Sequence, residues 1–415
     1  MSTPTGPYAA LKIPDYRNFI MARFCITLAI QIQGTIVGWQ IYEITHDALS
    51  LGLIGLAEAV PAIGVSLYAG HVADSVERKK IILVAVTILL FCSVALLSFT
   101  SGLEGFITSF GAIPIYSVIF ISGIARGFLS PANFSFMPQL IPRALYSNAV
   151  TLNSTFWEAA SIGGPLLAGL IAFLFIKNGI MLSYVADSIL VAASLFFYAS
   201  VKNKPLPPPS LEQGFWEKIK AGLKFVFNNQ IVLSAISLDL FAVLFGGAVA
   251  LLPIFAKDIL DSGPGGLGLL RSAPSVGALV MAVYITHNPI KKYIGKILLA
   301  CVGGFGVCMI AFALSTNFYL SLFVLGMSGA FDSISVIVRG TLIHTLTPEN
   351  MKGRVSAVNS MFVGSSNEIG AFESGFAAKL MRVVPSVIFG GTVTLIVVAF
   401  TSWKAKKLVN LDTVN

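Results

Sequence analysis

Nearly charge-free apolar stretches of about 20 residues recur along this chain, the length an α-helix needs to cross roughly 30 Å of hydrocarbon. Twelve can be counted, over residues 18–44, 50–70, 81–99, 113–137, 147–175, 180–201, 231–256, 266–286, 296–314, 317–345, 354–378 and 384–403. They are long and lack the short alternating pattern of outer-membrane strands, so helices are expected and a barrel is not. With 56% hydrophobic and 11% charged residues over 415 positions, the chain cannot clothe one core in a water-soluble surface. The fold class predicted is an all-α membrane protein with twelve transmembrane helices in two pseudo-symmetric six-helix bundles.

Basic residues in short loops stay preferentially on the cytoplasmic side. With both termini inside, cytoplasmic segments hold 19 of the 27 lysines and arginines, the opposite side holds four (Lys177, Lys257, Lys379, Arg382), and four lie within spans (Arg23, Arg126, Arg271, Arg339). The net charge of +8 is therefore an orientation signal, and no nucleic-acid partner is implied. A multi-pass protein of a bacterial cytoplasmic (inner) membrane, with lipid around it and both ends cytoplasmic, is expected. Residues 1–17 lack the apolar core of a cleaved signal, so the first span serves as the insertion signal. Cys25, Cys92, Cys301 and Cys308 lie in apolar segments without a histidine pattern, which implies packing rather than a disulfide framework, and no metal or cofactor.

The expected domains are an N-terminal six-helix bundle over 1–201, a cytoplasmic linker over 202–230 and a C-terminal six-helix bundle over 231–415. The linker opens with Lys204-Pro-Leu-Pro-Pro-Pro209, which is stiff and extended. It continues with Phe215, Trp216, Ile219, Leu223 and Phe227 at helical spacing beside Lys218, Lys220 and Lys224, an amphipathic helix suited to the inner leaflet. The halves echo one another: Pro142 to Asn153-Ser154 and Pro348 to Asn359-Ser360 share one spacing, and each is preceded by an Arg-Gly pair, Arg126-Gly127 and Arg339-Gly340. The Arg-to-Pro distances differ by seven residues, so an insertion of about two helical turns is expected in one half. The repeat equates spans 4 and 5 with 10 and 11, giving parallel halves around a two-fold axis along the membrane normal with a cavity between them.

Ionisable groups inside a membrane turn toward protein or water. On span 1, Arg23, Thr27, Gln31, Gly34 and Gly38 share a face; span 4 repeats this with Ser122, Arg126, Ser130 and Asn133, and span 5 with Ser154, Glu158, Ser161 and Pro165. Span 10 presents Ser328, Asp332, Ser335 and Arg339, and span 11 Asn359, Ser366, Gly370 and Glu373. Spans 3, 9 and 12 carry no internal charge and are expected at the periphery. Span 6 breaks that rule with Asp187 beside Ser183 and Ser194, either packed inward or paired locally. The candidates for a coupling or substrate cavity are Arg23, Gln31, Glu58, Arg126, Glu158, Asp332, Arg339, Glu368 and Glu373. A carboxylate shielded from water can load or release a proton according to the side that opens to it, but buried charges also serve simply to hold helices together.

Gly70-His-Val-Ala-Asp74-Ser-Val-Glu-Arg78-Lys79-Lys80, between spans 2 and 3, resembles the loop signature of the major facilitator superfamily. The resemblance implies a cytoplasmic gating loop in which Gly70 permits close helix approach and Asp74 and Arg78 pair. Ser75 and Glu77 stand where that signature has a basic residue and a glycine, which implies a weaker or differently paired latch. Arg126-Gly127 is similar to the superfamily's helix-4 arginine motif, tied there to proton coupling or substrate binding. Gly163-Gly164-Pro165-Leu-Leu-Ala-Gly169 resembles the flexible glycine-proline motif of antiporter branches. With Ala125 to Ala132, Gly353 to Ser360 and Phe372 to Gly375, the whole chain resembles the drug and siderophore exporter branch, enterobactin-exporter-like and macrolide-efflux-like.

What this implies is a monomeric secondary transporter of major facilitator fold. It would export small amphiphilic molecules, drug-like or siderophore-like, by alternating access in exchange for protons. A nutrient importer or uniporter on the same fold is the alternative within transport; a membrane sensor or lipid-handling protein is the alternative outside it. The glycine-proline motif favours export. No nucleophile-base pair, metal cluster or phosphate-cradling glycine loop is present in the sequence, so neither an enzyme nor ATP-driven transport is expected.

Overall fold

The computed structural model describes residues 8–101, 104–205, 215–290, 292–348 and 351–413. The helices are α1 (Pro14–Thr45), α2 (Ala48–Ser75), α3 (Arg78–Ser101), α4 (Glu104–Phe110), α5 (Ile113–Leu140), α6 (Tyr146–Leu174), α7 (Gly179–Ser200) and α8 (Phe215–Asn228), then α9 (Gln230–Gly246), α10 (Leu252–Ile254), α11 (Gly263–His287), α12 (Ile294–Leu314), α13 (Phe318–Leu346), α14 (Lys352–Met381), α15 (Val383–Lys404) and α16 (Lys406–Val409). No strand occurs among the described residues. Helix starts follow local chemistry. Pro14 opens α1 where an N–H has no partner to lose, and the Asn229 side chain accepts from the amides of Ile231 and Val232 at 3.2 Å to cap α9.

Eleven candidate membrane spans are long and apolar enough to cross a bilayer among the described residues. The remaining long helix, α14, has 30 residues but carries Asn359, Asn367, Glu368 and Glu373, so length qualifies it while composition does not. The twelve spans read from sequence are thus α1, α2, α3, α5, α6, α7, α9 with α10, and α11 to α15. The seventh departs from a single rod. The helix stops at Gly246, Gly247 is extended, and the chain resumes as a tight turn over Val249–Leu251, α10 and a π-helical turn over Phe255–Ile259. Two consecutive glycines make the break accessible, and the Gly247 carbonyl freed there accepts from Ser374 Oγ at 2.8 Å.

The chain forms two compact units. The first comprises Met1–His46, Leu56–Pro209 and Ser262–Ser272; the second comprises Asp47–Gly55, Ser210–Asp261 and Ala273–Asn415. In the first, Tyr16, Phe19, Ile82, Phe136 and Tyr198 form the centre of the core. The two tyrosine hydroxyls of this core are bonded internally, as a waterless surrounding requires: Tyr16 donates to the Ala149 carbonyl at 2.8 Å and Tyr198 to Asn133 Oδ1 at 2.9 Å. In the second, Leu238, Leu298, Leu342 and Leu408 build one core. A second cluster there joins Val226 of α8 to Val232, Ile236, Ile343 and Val355. So α8 is docked on protein along one side, with Gly222 against the Arg354 backbone, while Phe227 stays 60% exposed. Residues 206–209 of the proline run, and the side chains of Phe215, Trp216, Lys218 and Ile219, lie outside the described residues.

No insertion separates the repeated segments. α5 and α13 have 28 and 29 residues and end at Leu140 and Leu346, each six residues before the following long helix begins. Counted back from those ends, Arg126 and Asp332 hold the same position, fourteen residues in. Arg339 stands two turns nearer its helix end. The halves therefore place opposite charges at one register, and the expected match of Arg126 to Arg339 does not hold in detail.

Candidate functional site: buried charge clusters in each unit

In the first unit the centre is Arg126 on α5. Its guanidinium forms an ion pair with Glu58 of α2 and donates to Gln33 Oε1 of α1 at 3.1 Å. Glycines at 123 and 127 explain the reach of α2. A Cβ at Gly123 would stand 2.8 Å from Pro61 Cγ, and one at Gly127 would stand 3.0 Å from the Ala62 carbonyl oxygen. The Arg-Gly pair thus acts locally: the arginine supplies charge and the glycine lets its partner helix close on it. The Arg126 and Glu58 side chains keep 20% and 26% exposure, so the pair is sheltered but reachable.

Nearby in the same unit, Asp187 of α7 is 1% exposed. The Ser93 hydroxyl of α3 donates to it, while its Oδ2 has no partner among the described residues. The sixth span therefore packs this carboxylate inward. Arg271 of α11 donates to the Gly34 carbonyl of α1 at 2.9 Å.

The glycine-proline segment lies in α6, with Gly164 and Pro165 buried. A Cβ on Gly164 would collide with the Gln31 side chain and stand 3.1 Å from the Leu28 carbonyl oxygen. Gly163 faces only Leu28 Cδ1, at 3.4 Å. Gly169 opposes Gly268, whose Cα would be 2.9 Å from an added Cβ. The motif's tight positions are thus Gly164 and Gly169, and Gln31 serves as the floor beneath Gly164.

At the start of α3, Arg78 donates to the Ser135 carbonyl of α5 at 3.2 Å. Lys79 donates to the Ala199 and Val201 carbonyls, neutralising the C-terminal end of α7. Gly70 and Asp74 fall in the last turns of α2, and their side-chain surroundings lie outside the described residues.

In the second unit Arg339 of α13 forms an ion pair with Asp239 of α9, and the residues are 4% and 5% exposed. Asp239, Asp332 and Ser335 line one cavity together with Cys301 and Phe305 of α12 and Phe331. Glu368 of α14 lies beside the first turns of α2, its Oε2 3.6 Å from where a Cβ on Gly55 would be. Glu373 is half-buried further along α14, as is Glu158 on α6. Arg23 is half-buried on α1, about 15 Å along the helix from Gln33.

The structure thus brings together Arg126 with Glu58, and Asp332 with Arg339's helix face and partner. Among the described residues of the first unit, no hydrogen bond or ion pair joins Arg23, Gln31 or Glu158 to the Arg126–Glu58 pair, and in the second neither Glu368 nor Glu373 lines the cavity of Asp239 and Asp332. Sequence reasoning missed Gln33 and Asp239 as partners, and Arg271 as a clasp on α1. The available signal was the rarity of a charge in an apolar span, which singles out Asp239 and Arg271 alike.

Membrane-spanning helices that enclose ion pairs and sheltered carboxylates define a polytopic membrane transporter. The chain belongs to the transmembrane secretion effector family of the major facilitator superfamily, matching it over residues 5–414. It is a secondary transporter and not an enzyme. It is 24% identical over 383 residues to the enterobactin exporter EntS of Salmonella choleraesuis (strain SC-B67), covering 91% of this chain and 89% of that one. To EntS of Escherichia coli O1:K1 / APEC it is 24% identical over 396 residues, covering 92% and 90%. Among solved structures it is similar to a POT family transporter in complex with 5-aminolevulinic acid, with TM-score 0.73, 13% identity and coverage of 95% and 96%. It is also similar to a bacterial homologue of the iron transporter ferroportin in an inward-facing state, with TM-score 0.68, 17% identity and coverage of 95% and 98%. These structural likenesses show the fold.

Proposed function

We propose that this protein exports small amphiphilic molecules, drug-like or siderophore-like, across a bacterial cytoplasmic membrane in exchange for protons. The observation that carries this reading is Arg126, a guanidinium inside a membrane-spanning unit, held between Glu58 and Gln33 yet part-exposed. Such a group attracts the polar or anionic head of an amphiphile, while the apolar spans suit its body. Relatives named as enterobactin exporters, aligned over nine-tenths of both chains, support export and a siderophore-like cargo. The two units move as bodies in alternating access, the termini lie in the cytoplasm, and the monomer is the working form.

The test is transport into inverted membrane vesicles with an imposed pH gradient, using enterobactin and a panel of fluorescent dyes and drugs. Accumulation that collapses on adding an uncoupler is the expected result. Accumulation indifferent to the gradient would replace antiport by facilitated diffusion.

A further inference from the structure

At one cavity of the second unit two carboxylates come together, the buried Asp239 and the half-buried Asp332, and one of them has a guanidinium partner. Asp239 and Arg339 form an ion pair across α9 and α13. Asp332, on the same stripe as Arg339 and two turns away, faces a cavity also lined by Asp239, with free room for a single water-sized body. Between them on that stripe, Ser335 is 2% exposed, and its hydroxyl has no hydrogen-bond partner among the described residues. An orphaned buried hydroxyl costs free energy unless something in the cavity meets it. A third charge without a counter-ion costs more.

We propose that this cavity is a proton site: Asp332 takes one proton from water, and Ser335 holds the connecting water against it. The O–H bond forms on the Asp332 carboxyl and breaks when the proton returns to water. The Asp239–Arg339 pair stays ionised throughout and holds α9 and α13 together. A proton restores neutrality in space for one water, whereas a larger cation would need a full oxygen shell that apolar Phe305 and Phe331 deny. The titratable or charged groups facing Asp332 are Asp239 from α9 and Cys301 from α12, with Arg339 on its own helix. α11 meets α13 at Gly277 and Pro274 and brings no titratable group to those contacts; Glu368 and Glu373 of α14 do not line the cavity. Asp332 holds the register that Arg126 holds in the first unit, so the two units divide the labour, one presenting a cation to the cargo and the other carrying the proton. Only this last, coupling step rests on the export reading above.

The test uses the full-length protein in liposomes and infrared difference spectra between acidic and alkaline buffer. The wild type is expected to show a titrating protonated-carboxyl band that is lost in Asp332→Asn, kept in Glu58→Gln, and shifted in frequency in Ser335→Ala. Because Ser335→Ala removes one oxygen only, it reports on the site even if Asp332→Asn folds poorly. A band unchanged in both variants would overturn the proposal, whatever the protein transports. In inverted vesicles, Asp332→Asn should lose gradient-driven uptake of enterobactin and dyes but keep exchange of the same probe across the membrane. Gradient-driven uptake retained in Asp332→Asn, or uptake driven by a sodium gradient at constant pH, would overturn the coupling role. A wild type with no gradient-driven uptake of any probe would instead remove the antiport reading, leaving the infrared band to decide the site.

Discussion

Arg339 of α13 and Asp239 of α9 form an ion pair with both residues almost fully buried. Breaking such a pair leaves one charge stranded, at a cost of about 3–5 kcal/mol. Asp239→Asn should therefore lower the protein's stability in detergent by that order, and Asp239→Asn combined with Arg339→Gln should recover much of it. Thermal unfolding of the three variants measures the coupling; a double-variant loss equal to the sum of the two single losses would show that the two residues do not act as a pair.

Arg126 and Glu58 are less buried than that pair, so Glu58→Gln should cost less, about 1–3 kcal/mol. Function should be the more sensitive readout. Arg126→Lys keeps the charge but not the fork that serves Glu58 and Gln33 together, so transport should fall even where folding is intact. Uptake in inverted vesicles, normalised to folded protein, checks this.

The glycines of α6 are separable. Gly164→Ala drives a methyl group into Gln31 and the Leu28 carbonyl of α1, a case of overpacking worth about 1–3 kcal/mol. Gly163→Ala meets only a methyl at ordinary contact distance and should leave stability and transport unchanged. If the two behave alike, close packing is not what the segment supplies.

The span boundaries were legible because hydrocarbon thickness imposes a length and lipid tolerates few charges. α14 is counted among the apolar runs despite its polarity, and its place in the repeat agrees with that count. Partners were less legible. Gln31 and Gln33 lie about 200° apart around a helix, and only the packing of α6 and α5 on α1 decides which one reaches Arg126. Asp239 has Ala235, Ile236, Ala242 and Val243 at its three- and four-residue neighbours, so no polar stripe announced it. The Gly246-Gly247 break was hidden inside an uninterrupted apolar run.

Proton exchange for exported cargo is the central claim, and proteoliposomes containing only this protein and an internal pH dye test it most directly. A pulse of enterobactin or dye cargo flowing down its own gradient should move protons the opposite way, changing internal pH in step with transport and abolished by Asp332→Asn. Cargo flux with no accompanying pH change in the wild type would contradict the account.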